Sequence, residues 1–240
     1  MSVLKRILGS IRRADRDFGL IRPGDSVAVG VSGGKDSLVL LHALSLYRRF
    51  SPNPFELRAV TVSMGLEGFD PAAIGEFCRA RDIPWTLTET EIGRIVFEGH
   101  KDENPCSLCS RLRRGALAET CRKLGCSRLA LGHHRDDALE TLMMSVLYEG
   151  RLRTFPPLTR PTDGGIPQIR PLIYCTEREL IGISRRLSFP TVPSPCPVDG
   201  KTARAEMKKL LDDLCRRYPN ARQRMLTALK NDGEYALWTH

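Results

Sequence analysis

The hexapeptide Ser32-Gly33-Gly34-Lys35-Asp36-Ser37 sets two glycines, a lysine, an aspartate and two hydroxyls between two apolar stretches. Upstream, Val27, Val29 and Val31 alternate with small residues, as in a buried parallel strand. Downstream, Leu38, Leu41, Leu44 and Leu46 recur roughly every three residues, so a helix is expected from about Asp36. Paired glycines admit backbone conformations closed to other residues and let a ligand approach the main chain. The first turn of a helix offers unpaired N–H groups and a partial positive charge, which suits an anion. Lys35 adds a mobile cation. A plain strand-to-helix turn with a serine cap is the simpler reading, yet a cap requires neither the glycine pair nor a lysine. The spacing fits neither G-x-x-x-x-G-K-[ST] nor G-x-G-x-x-G.

Two further clusters carry chemistry. In Leu131-Gly132-His133-His134-Arg135-Asp136-Asp137, two adjacent carboxylates follow a strand-like segment and are expected at the same sheet edge as the hexapeptide. They suit Mg²⁺ or a base-activating step; alternatively one of them only caps the next helix. A zinc site on His133, His134 and an aspartate is a weaker reading, because ligands so tightly spaced rarely share one metal. The third cluster is Cys106-x-x-Cys109 at the start of a helix, with Arg111, Arg113 and Arg114 beside it. A helix N-terminus and nearby cations lower thiol pKa, so thiolates are expected there. A redox pair, a zinc site and an iron–sulfur cluster compete for this motif. Cys196, isolated among prolines, offers a third thiol, and three cysteines on a [4Fe–4S] cube leave one iron open. Cys78, Cys121, Cys126, Cys175 and Cys215 lie in helical or strand-like surroundings and are expected to be buried small apolar residues.

The elements that must position these groups alternate. Strands are expected at 55–64, 85–90 and 127–134, and helices at 71–83, 108–125, 135–150, 176–187, 201–218 and about 220–230. The Pro/Gly-rich stretch 154–171 reads as a loop or hairpin. The fold class is therefore α/β: a parallel sheet flanked by helices, with its ligand at the C-terminal ends of the strands and a helical C-terminal extension. Three regions are expected: a basic amphipathic N-terminal helix (1–24), an α/β domain carrying the anion-binding hexapeptide and the C-x-x-C (25–175), and a helical region supplying Cys196 and basic surface (176–240). The 240 residues are 41% hydrophobic and 27% charged, ordinary for a soluble protein. No apolar run approaches the roughly 20 residues of a membrane span, and the charged N-terminus is unlike a secretory signal. A cytoplasmic location without membrane association is expected, where eight cysteines favour metal or redox chemistry over disulfides. Net charge is +9, and residues 151–240 hold 16 Lys and Arg against 9 Asp and Glu, which suits a polyanion such as RNA. Aromatics are only 6% of the chain, so no broad stacking platform is evident.

SGGKDS after an apolar strand resembles the signature of the PP-loop ATP pyrophosphatase superfamily, and Gly132-His133-His134-Arg135-Asp136-Asp137 matches that superfamily's G-H-[HN]-x-D-D element. Pro105-Cys106-Ser107-Leu108-Cys109-Ser110-Arg111-Leu112-Arg113-Arg114-Gly115 and the later Ile169-Arg170-Pro171-Leu172-Ile173-Tyr174-Cys175-x-Glu177-x-Glu179 are similar to the tRNA 2-thiocytidine synthetase (TtcA) family, over about residues 15–230. The adenine nucleotide alpha hydrolase-like fold follows from that resemblance. It implies an ATP- and Mg²⁺-dependent tRNA sulfurtransferase that adenylates the C2 oxygen of cytidine 32, releases pyrophosphate and inserts sulfur. It implies that Ser32, Gly33, Gly34, Lys35, Asp36 and Ser37, with Ser63, Gly132, Asp136 and Asp137, bind the nucleotide. Lys35, Asp36, Arg113 and Asp137 would be catalytic, and Cys106, Cys109 and Cys196 would hold a [4Fe–4S] cluster. The partners implied are a tRNA anticodon stem-loop, a sulfur donor (sulfide or persulfide derived from a cysteine desulfurase) and a second copy in a homodimer. The chain departs from the family at Asp199, where relatives have a second cysteine after the third ligand. The rival readings are a PP-loop sulfurtransferase acting on another tRNA base or a small molecule, and a catalytically idle, metal-bearing RNA-binding protein; the intact SGGKDS argues against the second.

Overall fold

A computed structural model describes residues 2–99, 105–162, 164–198 and 202–230. The first helix, α1 (Val3–Phe18), opens where the Ser2 side chain accepts from Lys5 N and closes at Gly19, whose φ of 58° is left-handed. Ile7, Ile11 and Ala14, spaced by one helical turn, are fully buried. Part of its basic face is neutralised: Arg6 pairs with Glu179, and Arg13 and Arg16 pair with Asp17.

Five parallel strands and one antiparallel edge strand follow: β1 (Asp25–Gly30), β2 (Phe55–Ser63), β3 (Trp85–Glu89), β4 (Arg128–Ala130), β5 (Leu158–Thr159) and β6 (Gln168–Ile169). Their order in the sheet is β3-β2-β1-β4-β6-β5. β1 pairs with β2 on one side (Val27 opposite Leu57, Val29 opposite Ala59) and with β4 on the other (Val29 opposite Ala130). The chain first winds away from β1 through β2 to β3, then returns across it to β4. The loops after β1 and β4 therefore diverge at a topological switch point, where open α/β sheets bind ligands. The Pro/Gly-rich stretch forms the β5–β6 hairpin, and β6 joins the sheet beside β4.

Helices α2 (Lys35–Tyr47), α3 (Ala72–Arg79), α5 (Pro105–Lys123) and α7 (Glu177–Arg186) accompany the sheet. Ala28, Val60, Cys121, Cys126 and Leu129 form one core cluster, with Leu117 and Leu131 packed on it. Among the described residues α5 already runs at Pro105, earlier than the expected start at 108. A short helix, α4 (Ile92–Arg94), running into a π-helical turn at Ile95–Gly99, is an element that periodicity does not reveal. It is pinned by burial of Ile92 and Val96 and by Gly93 N donating to Met64 O at 2.7 Å.

The structure divides into two compact units. One comprises residues 1–134 and 156–197 and holds the whole sheet; the other comprises 135–155 and 198–240. The second unit contains α6 (Arg135–Glu149), α8 (Ala203–Arg217) and α9 (Ala221–Ala228). No helix among the described residues is long and apolar enough to cross a membrane.

Candidate active site

The Ser32–Ser37 loop joins β1 to α2. Gly33 has φ +84°, and a Cβ there would lie 2.9 Å from Val192 Cβ, so glycine is required on both counts. The serines do not cap the helix. Ser32 Oγ accepts from Gly34 N, Ser37 Oγ accepts from Ser32 N, and Ser37 Oγ donates to Gly34 O at 2.8 Å, so the hydroxyls knit the loop to itself. The cap position is Gly34, which has no side chain to satisfy the first turn. The amides of Lys35, Asp36 and Ser37 are left as an uncapped cationic end. Gly132, after β4, passes so close that a Cβ would meet the Asp36 carbonyl carbon and Ser37 N at 3.2 Å.

Charge is organised around this end. Lys35 Nζ lies 3.0 Å from Asp36 Oδ2 and 3.3 Å from Glu177 Oε1. Burial alone would lower the lysine pKa, but the two carboxylates hold the ammonium above its ordinary value. Among the described residues, two of its three N–H groups are thus tethered and one is left. Asp36 Oδ1 is buried and accepts no hydrogen bond among the described residues; the buried His134 places Nε2 4.0 Å away. A buried, unsatisfied carboxylate oxygen at an anion-binding helix end suits a hard cation such as Mg²⁺. Glu177 stands in the motif that carries the resemblance, but its reach to Lys35, remote in sequence, is not legible from that motif. The signal that could have found it is the capping box: Thr176 and Glu179 bond reciprocally and fix the start of α7. Ser63 ends β2, where its Oγ accepts from Gly65 N.

Asp136 and Asp137 open α6. Within their unit Asp136 is buried and paired with Arg135 and Arg222, while Asp137 faces Arg204 at 3.5 Å.

Cys106 and Cys109 lie in the first turns of α5, exposed and half-buried respectively, and Cys196 is half-buried beyond α7. Cys109 stands within the electrostatic reach of both other thiols. Its Sγ is 3.5 Å from Met64 Sδ. The expected lowering of thiol pKa does not hold at Cys109: burial pushes it up, the adjacent Cys196 and Cys106 push it the same way, and Arg113 only partly offsets them. Negative charge on Cys109 is therefore disfavoured unless a cation binds beside it, and metal binding releases a thiol proton. Among the described residues, no group of three or more His, Cys, Asp or Glu is placed to hold a metal ion. A cube distributes its thiolates over separate irons, so its donors need not meet at one point. Cys109 and the two thiols within its electrostatic reach suit the sulfur donors of such a cluster. Asp199 lies outside the described residues. Cys78, Cys121, Cys126 and Cys175 are buried as expected. Cys215 is not: it is half-buried on α8, with Arg222 Nη1 3.3 Å from its sulfur, because this face of the helix meets a polar cluster rather than a core.

The segment leading to Cys196 is tied to the phosphate-type loop, since Val192 N donates to Gly33 O at 3.0 Å. Thiols and loop thus share one unit.

The PP-loop domain model matches residues 8–194. Over 230 residues the chain is 43% identical to a tRNA-cytidine(32) 2-sulfurtransferase of Geobacter sulfurreducens, covering 95% of this chain and 90% of that protein. It is 40% identical, with the same coverage, to the protein of that name in Geobacter metallireducens. Among solved structures it resembles the U34-tRNA thiolase NcsA from Methanococcus maripaludis with its [4Fe-4S] cluster, at 28% identity and a TM-score of 0.78, covering 95% of this chain and 78% of that one. An NMN synthetase from Francisella tularensis, at 14% identity and a TM-score of 0.53 over 88% of this chain and 85% of its own, shares the fold.

Proposed function

Because the chain belongs to the tRNA-cytidine(32) 2-sulfurtransferase family of PP-loop proteins, we propose that it uses ATP to replace the C2 oxygen of cytidine 32 of tRNA with sulfur. The observation that carries this reading is the 3.0 Å bond from Val192 to Gly33, which joins the loop suited to phosphates and the segment bearing Cys196. ATP places its phosphates on the uncapped amides of Lys35, Asp36 and Ser37, and the remaining N–H of Lys35 meets the pyrophosphate that leaves. Asp36, whose buried Oδ1 accepts no hydrogen bond among the described residues, would hold Mg²⁺ beside the phosphates. The C2 oxygen of the base attacks the α-phosphorus. Pyrophosphate departs, and a poor leaving oxygen becomes an adenylate. A sulfur nucleophile then adds at C2 and AMP is expelled.

Cys106, Cys109 and Cys196 would hold a [4Fe–4S] cluster, which would supply sulfur-binding iron chemistry. Arg113, close enough to act on Cys109, balances negative charge between the thiols and the nucleotide. Ser63 and Gly132 are assigned to the nucleotide side, and Asp137 is held by Arg204 within its own unit. The sulfur comes from a desulfurase-derived persulfide or sulfide, the enzyme acts in the cytoplasm, and it works as a homodimer. Anaerobic incubation of the iron-loaded protein with ATP, Mg²⁺, sulfide and unmodified tRNA, followed by nucleoside mass spectrometry, tests the reaction. It should yield 2-thiocytidine at position 32. Thiouridine without thiocytidine would move the substrate to another base, and no thionucleoside with any tRNA would refute the reading.

A further inference from the structure

Among the described residues, half of the large exposed apolar side chains cluster in one short stretch of the second unit: Val146 at 38%, Leu147 at 53%, Tyr148 at 57% and Leu152 at 65% of full exposure. The stretch runs from the last turn of α6 through Gly150 to Arg151-Leu152-Arg153, all three of which are exposed. It is fixed at both ends. Gly150 takes φ +64°, allowing Arg151 N to bond back to Ser145 O at 3.0 Å, and Thr154 Oγ1 donates to Ala138 O at 2.8 Å. The Tyr148 ring is held as well, its hydroxyl 3.2 Å from Glu206 Oε2 while its face stays open. Apolar and cationic groups therefore stand ordered in solvent before anything binds, which reduces the entropy lost on association.

The arginines are what distinguish this patch. Arg204 and Arg222 of the same unit are engaged with Asp137, Glu140, Asp136 and Asp212. Arg151 and Arg153 have no carboxylate partner among the described residues, and the acid between the apolar groups, Glu149, is engaged by Ser145. An open tyrosine face and aliphatic side chains interleaved with unpaired guanidiniums match a single-stranded RNA loop, whose bases offer π-faces and whose backbone offers regular negative charge. A second copy of the chain is a poorer match. A two-fold contact would set this patch against itself and bring the arginines of both copies together.

We propose that residues 146–153 form the surface that grips the unpaired anticodon loop of the tRNA substrate, with Tyr148 and Leu152 against bases and Arg151 and Arg153 on phosphates. This rests on the sulfurtransferase reading and assigns that reading's RNA contact to a definite surface.

The test measures binding of the full chain to a labelled anticodon stem-loop with cytidine at position 32 and to a fully paired RNA of equal length, across a salt series. Melting temperature and ATP binding serve as controls. Arg151→Ala/Arg153→Ala should weaken stem-loop binding about tenfold at moderate salt and flatten the slope of log affinity against log salt by about 1.4, two phosphate contacts to a single strand. Tyr148→Ala should weaken the stem-loop by about tenfold, leave the salt slope unchanged, and leave the paired RNA unaffected. If wild-type protein binds the stem-loop and both variants bind it equally well, the surface is wrong while the sulfurtransferase reading stands. Variants that lose self-association yet keep RNA affinity would make it a dimer contact and overturn the proposal. A wild-type chain that binds no RNA would overturn the sulfurtransferase reading, and this surface with it.

Discussion

The phosphate-type loop and the thiol site occupy the same unit but are finished to different degrees. The loop comes from six consecutive residues. Its hydroxyls bond to its own backbone, its glycine conformation is set, and Lys35 is already held by two carboxylates. Little has to move for an anion to bind there. The thiol site draws on two segments far apart in sequence, and Cys109 resists ionisation because burial and neighbouring thiols disfavour its charge. A backbone cradle can be built from local geometry, whereas converging anions need a countercharge to stay together.

Each site can be broken alone. Cys196→Ser should have the largest effect: loss of most of the iron and all of the thiolation, with ATP binding retained. Iron content after anaerobic reconstitution checks it, and retention of full iron would remove Cys196 from the cluster. Cys175→Ser, which changes a buried packing thiol, should keep its iron.

Lys35→Ala is the reverse experiment. Removing one oriented donor from developing phosphate charge should lower the thiolation rate by about 10²–10³-fold, while the visible absorption of the cluster is unchanged. A variant that stays fully active would exclude Lys35 from the chemistry.

One substitution should damage both sites. Gly33→Ala forces a Cβ to 2.9 Å from Val192 Cβ at a φ of +84° and should cost about 1–3 kcal/mol of stability. Because it pushes on the segment that leads to Cys196, calorimetry should show a lower Tm, and both ATP affinity and iron retention should fall. If only ATP affinity falls, the tie between the sites is mechanically slack.

The pH response separates the sites more gently. Alkylation requires thiolate, so in the iron-free protein the raised pKa of Cys109 should move the midpoint of its iodoacetamide rate above that of an ordinary thiol. Arg113→Ala, which removes the opposing cation, should raise it further. At the loop, Glu177→Gln removes one of the carboxylates that favour the charged Lys35, so the lysine should lose its proton at lower pH. The alkaline limb of ATP binding should then shift downward with little change in Tm. An unmoved limb would reduce Glu177 to an α7 residue with no part in the site.

The strand–loop–helix of residues 27–44 and the β-α alternation were legible because β-branched strands, a glycine-rich turn and helical periodicity are local patterns. The short π-helical stretch was not legible, because Ile92 and Val96 are buried by contacts made elsewhere in the fold rather than by a sustained period. Cys215 reads as a core residue from its helical neighbours, yet stands beside Arg222.

The sequence by itself determined the loop chemistry, the alternating architecture and the family, since glycine freedom, helix-end polarity and periodicity act between near neighbours. Only the tertiary structure decided that Val192 donates to Gly33, that Glu177 reaches Lys35, and that Cys109 is harder to ionise than its flanking arginines suggest. Those outcomes depend on which distant groups share a buried volume, and on whether desolvation or a neighbouring charge prevails there, neither of which is encoded in spacing along the chain.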